Sequence, residues 1–124
     1  MTDQNIIRKT KVNTVLLAVG RDPNTKIFKE IPHLNFSKTG KILGNPDELE
    51  KTSVPGLYAI GDIVEGVPEL MPVAQKSGKK LAHRIFARIN NAEENFKKAD
   101  FMDYELIPTT VFSKIEYSFV GDSE

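Results

Sequence analysis

The order of apolar and polar positions divides the chain into short strand-like runs and one long helix-like stretch. Residues 12–19 are apolar and rich in β-branched side chains and stop at Gly20, which predicts a buried strand. Residues 21–24 have the composition of a turn. Residues 26–51 mix apolar patches with glycines and charges, which predicts irregular connections and one or two short strands.

A second apolar run, residues 57–60, begins after a Pro55-Gly56 turn and stops at Gly61-Asp62. This pattern also predicts a buried strand. Glycine at the end of the strand would let a ligand approach the backbone, and the carboxylate of Asp62 could accept hydrogen bonds from hydroxyl groups. Because ligands in open α/β sheets bind outside the carboxyl ends of strands, Gly61 and Asp62 are candidate ligand contacts.

Residues 72–90 predict a long amphipathic helix, in which Pro72 suits the first helical position. An apolar stripe and a parallel strip of small residues would face the rest of the protein. The stripe contains Val73, Leu81, Ile85 and Ile89, and the strip contains Ala74, Gly78 and Ala82. We expect residues 90–100 to be a solvated connector and residues 108–120 to be a strand.

Four cations recur at every fourth position of the predicted helix: Lys76, Lys80, Arg84 and Arg88. A surface for nucleic acid is one interpretation of such a stripe. A solvated helix face is the better one, because the net charge of the chain is zero and no aromatic residues interleave the cations. We therefore expect these four side chains to face solvent and predict no nucleic-acid partner.

The composition is that of a soluble protein, with 124 residues, 40% hydrophobic and 27% charged. No apolar run approaches the roughly 20 residues that cross a bilayer. The chain contains no cysteine, which excludes a redox dithiol within it, and its two histidines have no partners at metal spacing. We expect no metal, no membrane association and a cytoplasmic location, with a mitochondrial one as the alternative.

Four segments resemble, in the same order, the pyridine nucleotide-disulfide reductases. They are Ala18-Val-Gly-Arg-Asp-Pro-Asn24, residues 52–62, Glu69-Leu-Met-Pro-Val-Ala74 with its helix through Leu81-Ala-His-Arg84, and Pro108-Thr-Thr-Val-Phe112. Residues 52–62 are similar to the second flavin-binding motif of that family. Asp103-Tyr-Glu and Glu116-Tyr117 look most like the high-molecular-weight thioredoxin reductases within it.

The resemblance implies an α/β fold that is part of a flavoprotein with two dinucleotide-binding domains. Residues 1–22 would end the NAD(P)H-binding domain, residues 23–100 would form the second segment of the FAD-binding domain, and residues 104–124 would begin an α+β dimerisation domain. Both ends of the chain would then be cut from a longer protein.

The resemblance also assigns roles to individual residues. Gly61, Asp62, Glu69, Leu70 and Met71 would contact FAD, with Asp62 on a ribityl hydroxyl. Gly20, Arg21, Glu69 and Thr110 would contact NADPH. The family commonly has Thr where Met71 stands, so a hydroxyl contact with the flavin would be lost and a backbone contact would be kept.

The family passes electrons from NADPH to FAD, then to a redox dithiol, and in thioredoxin reductases to thioredoxin; the full-length enzymes are homodimers. This chain has neither the cysteine pair nor the first glycine loops for either dinucleotide. We therefore expect no catalytic residue in it and no activity of the isolated chain. Glutathione reductase, thioredoxin-glutathione reductase, dihydrolipoamide dehydrogenase, a single-flavin NADH oxidase and a non-catalytic remnant are the alternatives, and a free-standing nucleotide-binding module is the weakest.

Overall fold

A computed structural model of the chain describes residues 9–121, and the predictions that extend into residues 1–8 and 122–124 lie outside them. The described part combines one long helix with two short antiparallel strand pairs and single 3-10 turns. In chain order the main elements are β1 (Gly44–Asn45), β2 (Glu48–Thr52), α1 (Met71–Ile89), β3 (Thr109–Val111) and β4 (Tyr117–Phe119). The 3-10 turns are Lys26–Phe28, Gly61–Ile63, Glu93–Asn95 and Lys98–Asp100.

Helix α1 confirms the long amphipathic helix predicted from the sequence. Its first turn contains Pro72, whose missing N–H needs no partner there. The helix ends at Ile89, and the backbone N–H of the following residue, Asn90, donates to the carbonyls of Phe86 and Ala87. The buried positions, Val73, Ser77, Leu81 and Arg84, recur at helical spacing and mark the face that packs inward. Ile89 was expected on this face but is 73% exposed, because it lies past the last buried turn.

The small residues of α1 let the segment before it approach closely. A Cβ atom added at Gly78 would lie 3.2 Å from Cδ1 of Ile60, and one added at Gly61 would lie 3.1 Å from Cβ of Ala74. Larger side chains at these positions would push the helix away from residues 60–62. The predicted strip of small residues is therefore confirmed at Ala74 and Gly78, whereas Ala82 is exposed.

A small apolar core lies between α1 and the loops that precede it. Its buried members are Leu34, Ile42, Ala59, Val64, Val67 and Val73. Backbone hydrogen bonds from Ile42 N to Ile63 O and from Glu65 N to Ile42 O hold two of these loops together. Each fully buried aliphatic side chain of this kind contributes about 1.5–3 kcal/mol through its removal from water.

Strand β2 buries a polar face instead of an apolar one. Glu48, Glu50 and Thr52 are buried at alternate positions, whereas Leu49 is only partly buried and Lys51 is exposed. Strand β1 pairs with β2 in an antiparallel manner, with a register shift between Gly44 and Asn45. Two adjacent buried carboxylates need cationic partners, and α1 supplies them.

Arg84 is completely buried between those two carboxylates, so the prediction that the basic stripe of α1 faces solvent is wrong at this position. Its Nε donates to Oε1 of Glu48 at 3.0 Å and its Nη2 to Oε2 of Glu50 at 3.0 Å. Arg88 extends the cluster, since its Nη2 lies 2.8 Å from Oε2 of Glu48. The sequence pattern was misleading because the charges of β2 lie more than 30 positions earlier in the chain.

The connector after α1 covers this cluster rather than only linking elements. Nη1 of Arg84 donates to the carbonyl of Asp100 at 2.7 Å, and its guanidinium lies 4.8 Å from the centre of the Phe101 ring. Phe96 sits 5.6 Å from the guanidinium of Arg88 in the same way. Lys80 donates to the carbonyls of Ala99 and Phe101. The connector is largely exposed, as expected, but its backbone satisfies cations of the helix.

The first predicted strand, residues 12–19, is wrong. This segment has no regular secondary structure and pairs with no described strand, and Leu16 and Val19 are 88% and 87% exposed. Apolar and β-branched composition favours a buried strand only where neighbouring strands can supply hydrogen bonds. Among residues 9–121 none lies alongside it.

The second predicted strand, residues 57–60, is only partly correct. It is extended and buries Ala59, whose N–H donates to Glu50 O at 2.8 Å, and a single bridge joins Tyr58 to Lys51. Ile60 is 43% exposed, so the run is not a fully buried strand. One bridge on one side is too little pairing for a regular strand.

The strand predicted over residues 108–120 is instead a hairpin. Strands β3 and β4 pair in register through Thr110 and Ser118, and residues 112–116 form the connection between them. The hairpin is mostly exposed, with Phe112 and Ile115 both at 82%. Mixed helix and strand content is thus confirmed, whereas the parallel sheet typical of α/β folds is not formed within residues 9–121.

Replacing Arg84 by Ala should lower the free energy of unfolding by about 3–5 kcal/mol, because two buried carboxylates would lose their shared partner. Lys79→Ala, an exposed lysine of the same helix, is the matched control and should change stability by less than about 0.5 kcal/mol. Urea unfolding of the purified protein measures both. Equal effects of the two substitutions would contradict the buried ion cluster.

The pH dependence of the protein's stability should reflect the titration of the Glu48 carboxyl group. Burial by itself raises the pKa of Glu48, but hydrogen bonds from Arg88 and Arg84 outweigh it, so the pKa lies below its ordinary value of 4.5. The folded state therefore binds fewer protons than the unfolded state, and the stabilisation is present above pH 4.5 and is lost as the pH falls through the folded pKa. The melting temperature, measured from pH 7 downward, should therefore decrease as the pH falls below 4.5. The Glu48→Gln variant should be less stable at pH 7 and show a shallower decline, and parallel curves would contradict this assignment.

Candidate functional site

The candidate site begins where the chain turns at Gly61 and Asp62. Gly61 is buried and has φ +73°, a left-handed conformation that residues with a Cβ adopt at a cost. This conformation starts the 3-10 turn Gly61–Ile63 and points the chain past the side of α1. The side chain of Asp62 is 41% exposed, so its carboxylate is accessible to a ligand.

Arg21 reaches across to Asp62 from the earlier part of the chain. Its Nη2 lies 2.5 Å from Oδ2 of Asp62, and both side chains are open to solvent. An exposed pair of this kind contributes only about 0–1 kcal/mol, so a ligand could displace it at little cost. No hydrogen bond from residues 9–121 reaches Oδ1 of Asp62, which remains a possible acceptor.

A second ion pair borders the same hollow. Nζ of Lys41 donates to Oε1 of Glu69 at 2.7 Å, and this hydrogen bond with its charge lowers the pKa of Glu69. Sequence reasoning missed Lys41, which lies in an irregular loop. A hollow of about 250 Å³ is lined by Arg21, Asp22, Pro23, Asn24, Lys41, Asp62, Ile63 and Glu69. The structure therefore brings together three of the predicted site residues, Arg21, Asp62 and Glu69.

The start of α1 lies directly after this hollow. Leu70 is the residue before the helix, Met71 is its first residue, and no side chain caps the N–H groups of the first turn. Uncapped N–H groups and the helix dipole together favour a partial negative charge at this end. Met71 is 67% exposed, so its side chain leaves the helix start open.

Thr110 and Gly20 lie apart from the hollow. Thr110 belongs to β3, and its hydroxyl lies 2.8 Å from that of Ser118. It lines a larger groove of about 740 Å³ together with Leu70 and Pro72 at the start of α1. Gly20 directly precedes Arg21 and has φ +88°, with no atom within 4 Å of an added Cβ.

The sequence profile described as "Pyridine nucleotide-disulphide oxidoreductase" matches residues 3–78, which is more than half of the chain. The chain belongs to this family. It is also 40% identical to a thioredoxin reductase of Plasmodium falciparum over 114 residues, which is 90% of this chain. The chain spans 19% of the length of that relative. The predicted resemblance is confirmed at the level of the family.

Membership of the family implies flavin binding, and the residues present fit a flavin. Asp62 offers an exposed carboxylate to hydroxyl groups, and Gly61 has no side chain to block an approach. The uncapped start of α1 lies beside them and offers hydrogen-bond donors. Within residues 9–121 no set of three His, Cys, Asp or Glu side chains could hold a metal ion. In the same range no helix is long and apolar enough to cross a membrane.

Replacing Gly61 by Ala should destabilise the protein more than replacing Gly66 by Ala. Both glycines have positive φ, so each substitution costs about 1–2 kcal/mol of backbone strain. Only at Gly61 would the new Cβ meet a neighbour, Cβ of Ala74 at 3.1 Å, whereas at Gly66 nothing lies within 4 Å. Thermal unfolding measures the difference.

A double-mutant cycle separates the cost of the steric contact with Ala74 from the cost of backbone strain at Gly61. In an Ala74→Gly background the cost of Gly61→Ala should fall to that of Gly66→Ala. An unchanged cost would show that the approach of α1 to the 3-10 turn does not limit this position.

Proposed function

We propose that this chain is a segment of an FAD-dependent NADPH:disulfide oxidoreductase, most like thioredoxin-disulfide reductase. The observation that carries the proposal is the hollow in which Asp62, Arg21 and Glu69 meet beside the uncapped start of α1. Similarity to the Plasmodium falciparum thioredoxin reductase supports the choice within the family. In the full-length protein, electrons would pass from NADPH through FAD and a redox dithiol to thioredoxin.

FAD would be held by residues at the end of the 57–60 run and at the start of α1. Asp62 would accept a hydrogen bond from a ribityl hydroxyl, and Gly61 would leave room for the cofactor. Leu70 and Met71 would present backbone groups of the helix start, and Glu69 would border the site. Arg21 would release Asp62 when FAD binds, because their exposed ion pair is weak.

NADPH would be held by residues from both sides of the helix start. Gly20 directly precedes Arg21, and Arg21 and Glu69 are two of the charged residues that line the hollow. Lys41 pairs with Glu69 and lowers the pKa of that carboxyl group. Thr110 would contact the nicotinamide from the groove that it shares with Leu70.

The residues of this chain would bind and orient cofactors rather than transfer protons. FAD when bound supplies hydride acceptance, and protein groups tune it by position and charge. The positive end of α1 would favour negative charge where it accumulates on reduction. The chain has no cysteine, so the dithiol would be supplied by other parts of the protein, and the chain alone would be inactive.

The domain assignment is part of the same proposal. Residues 1–22 would end the NAD(P)H-binding domain, and residues 23–100 would belong to the FAD-binding domain. Residues 104–124 would begin the dimerisation domain, and the exposed apolar side chains of the β3–β4 hairpin, such as Ile115, suit a surface that becomes covered.

Replacing Asp62 by Ala in the full-length protein should weaken FAD binding about 10- to 100-fold, because a hydrogen bond to a charged group contributes about 1.5–3 kcal/mol. Flavin absorbance per protein and titration of the flavin-free protein with FAD measure the loss. Asp47→Ala, which removes an exposed loop carboxylate, is the matched control and should retain FAD.

Equal flavin content and affinity in the Asp62→Ala variant and the unchanged protein would contradict the assigned role of Asp62. A full-length protein that binds no flavin at all would contradict the proposed function as a whole.

A further inference from the structure

Tyr104 is the last point at which hydrogen bonds attach the C-terminal hairpin to the rest of the structure. Its hydroxyl donates to Oε1 of Glu50 at 2.6 Å and lies 2.9 Å from the hydroxyl of Ser77. Within the described range, none of the hydrogen bonds made after this residue crosses from residues 105–121 to residues 9–100. Ile107, just before the hairpin, packs against the apolar core.

The partner of Tyr104 is itself fixed. Glu50 is 2% exposed, and it also accepts hydrogen bonds from Ser77 at 2.9 Å and from Arg84 at 3.0 Å, both on α1. Burial and the hydrogen bond to Glu50 raise the pKa of Tyr104, so its hydroxyl stays protonated and donates. One buried carboxylate thus joins three segments: β2, α1 and the chain that leads into the hairpin.

This junction adjoins the 740 Å³ groove, because Met102 lines both the groove and the hollow that contains Tyr104 and Glu50. One wall of the groove comes from the start of α1, with Leu70 and Pro72, and the other comes from residues 98–112, with Met102 and Thr110. Tyr104 and Glu50 line the neighbouring hollow on the far side of Met102. Lys80 of α1 donates to the carbonyls of Ala99 and Phe101, which fixes the beginning of the second wall. Among residues 9–121 no hydrogen bond joins α1 to residues 105–112, so the position of Thr110 depends on the anchor at Tyr104.

We propose that Tyr104 is a positioning residue, which through Glu50 and Ser77 holds the Thr110 wall at a fixed distance from the start of helix α1. This inference rests on the proposed function, because that function places Leu70 at the flavin and has Thr110 contact the nicotinamide from this groove. Loss of the tyrosine hydroxyl leaves the aromatic ring in place but frees residues 105–112 to shift, so the groove would lose its defined width.

The test is Tyr104→Phe in the full-length protein, with Tyr117→Phe on exposed β4 as the matched control. In the flavin-free protein, amide hydrogen exchange of residues 105–112 should become about tenfold faster in Tyr104→Phe and should not change in Tyr117→Phe. FAD should bind about tenfold more weakly, and the KM for NADPH should rise by more than kcat falls.

The Arg88→Gln variant distinguishes a general loss of stability from a specific effect of Tyr104. It breaks the outer part of the ion cluster and leaves the hydrogen bond from Tyr104 to Glu50 intact. This variant should lower the melting temperature without changing exchange at residues 105–112 or the affinity for FAD. Should it match Tyr104→Phe in exchange and affinity, Tyr104 would be merely structural and the inference would be overturned.

If Tyr104→Phe is not recovered folded, Ser77→Ala removes the hydrogen bond on the helix side and gives the same comparison. Unchanged exchange and FAD affinity, in a protein that binds FAD normally without the substitution, would overturn the inference and leave the proposed function standing. A protein that binds no FAD before any substitution would instead overturn the proposed function.

Discussion

The buried contact of Arg84 with Glu48 and Glu50 is the constraint on which the described structure depends. It joins α1 to β2 in a molecule where apolar burial is small, since only seven apolar residues are buried among the described residues. Breaking such a cluster is costly because each remaining charge would be buried without a partner. Every buried side-chain polar atom of the described residues has a hydrogen-bond partner, so the cluster is complete as it stands.

That constraint determines where the candidate site lies. Because β2 is fixed to the middle of α1, residue Ala59, which donates to Glu50 O, is held beside the helix. The close approach at Gly61 and Ala74 then sets Asp62 next to the first turn of α1. Arg21 and Asp62 of the candidate site are exposed and weakly paired, as would suit residues that exchange one partner for another. The buried cluster around Arg84 thus fixes the backbone that carries the exposed charges of the candidate site.

Helix α1 and the small residues Ala74 and Gly78 could be predicted from the sequence, and Asp62, Arg21 and Glu69, which border one hollow, were candidate cofactor contacts. The helix could be predicted because helical periodicity is a local signal. The candidate site residues were assigned from the resemblance to the family. The burial of Arg84 could not be predicted in that way, because its partners are distant in the chain and four cations at equal spacing are typical of a solvated face. Two glutamates at alternate positions of a short strand were the one available signal, since alternate residues share a face.

The strand predicted over residues 12–19 was wrong for a different physical reason. Composition indicates which residues tend to form strands, but pairing requires a neighbouring strand, and residues 9–121 provide none there. The hairpin at β3 and β4 shows the converse case, in which a turn inside a strand-like run lets the chain pair with itself.

A crystal structure of the full-length protein with FAD tests the central claim most directly. We predict that a carboxylate oxygen of Asp62 lies about 2.5–3.0 Å from a hydroxyl of the flavin side chain, with the start of α1 directed at the flavin ring. A flavin bound elsewhere, with Asp62 still paired only to Arg21, would contradict it.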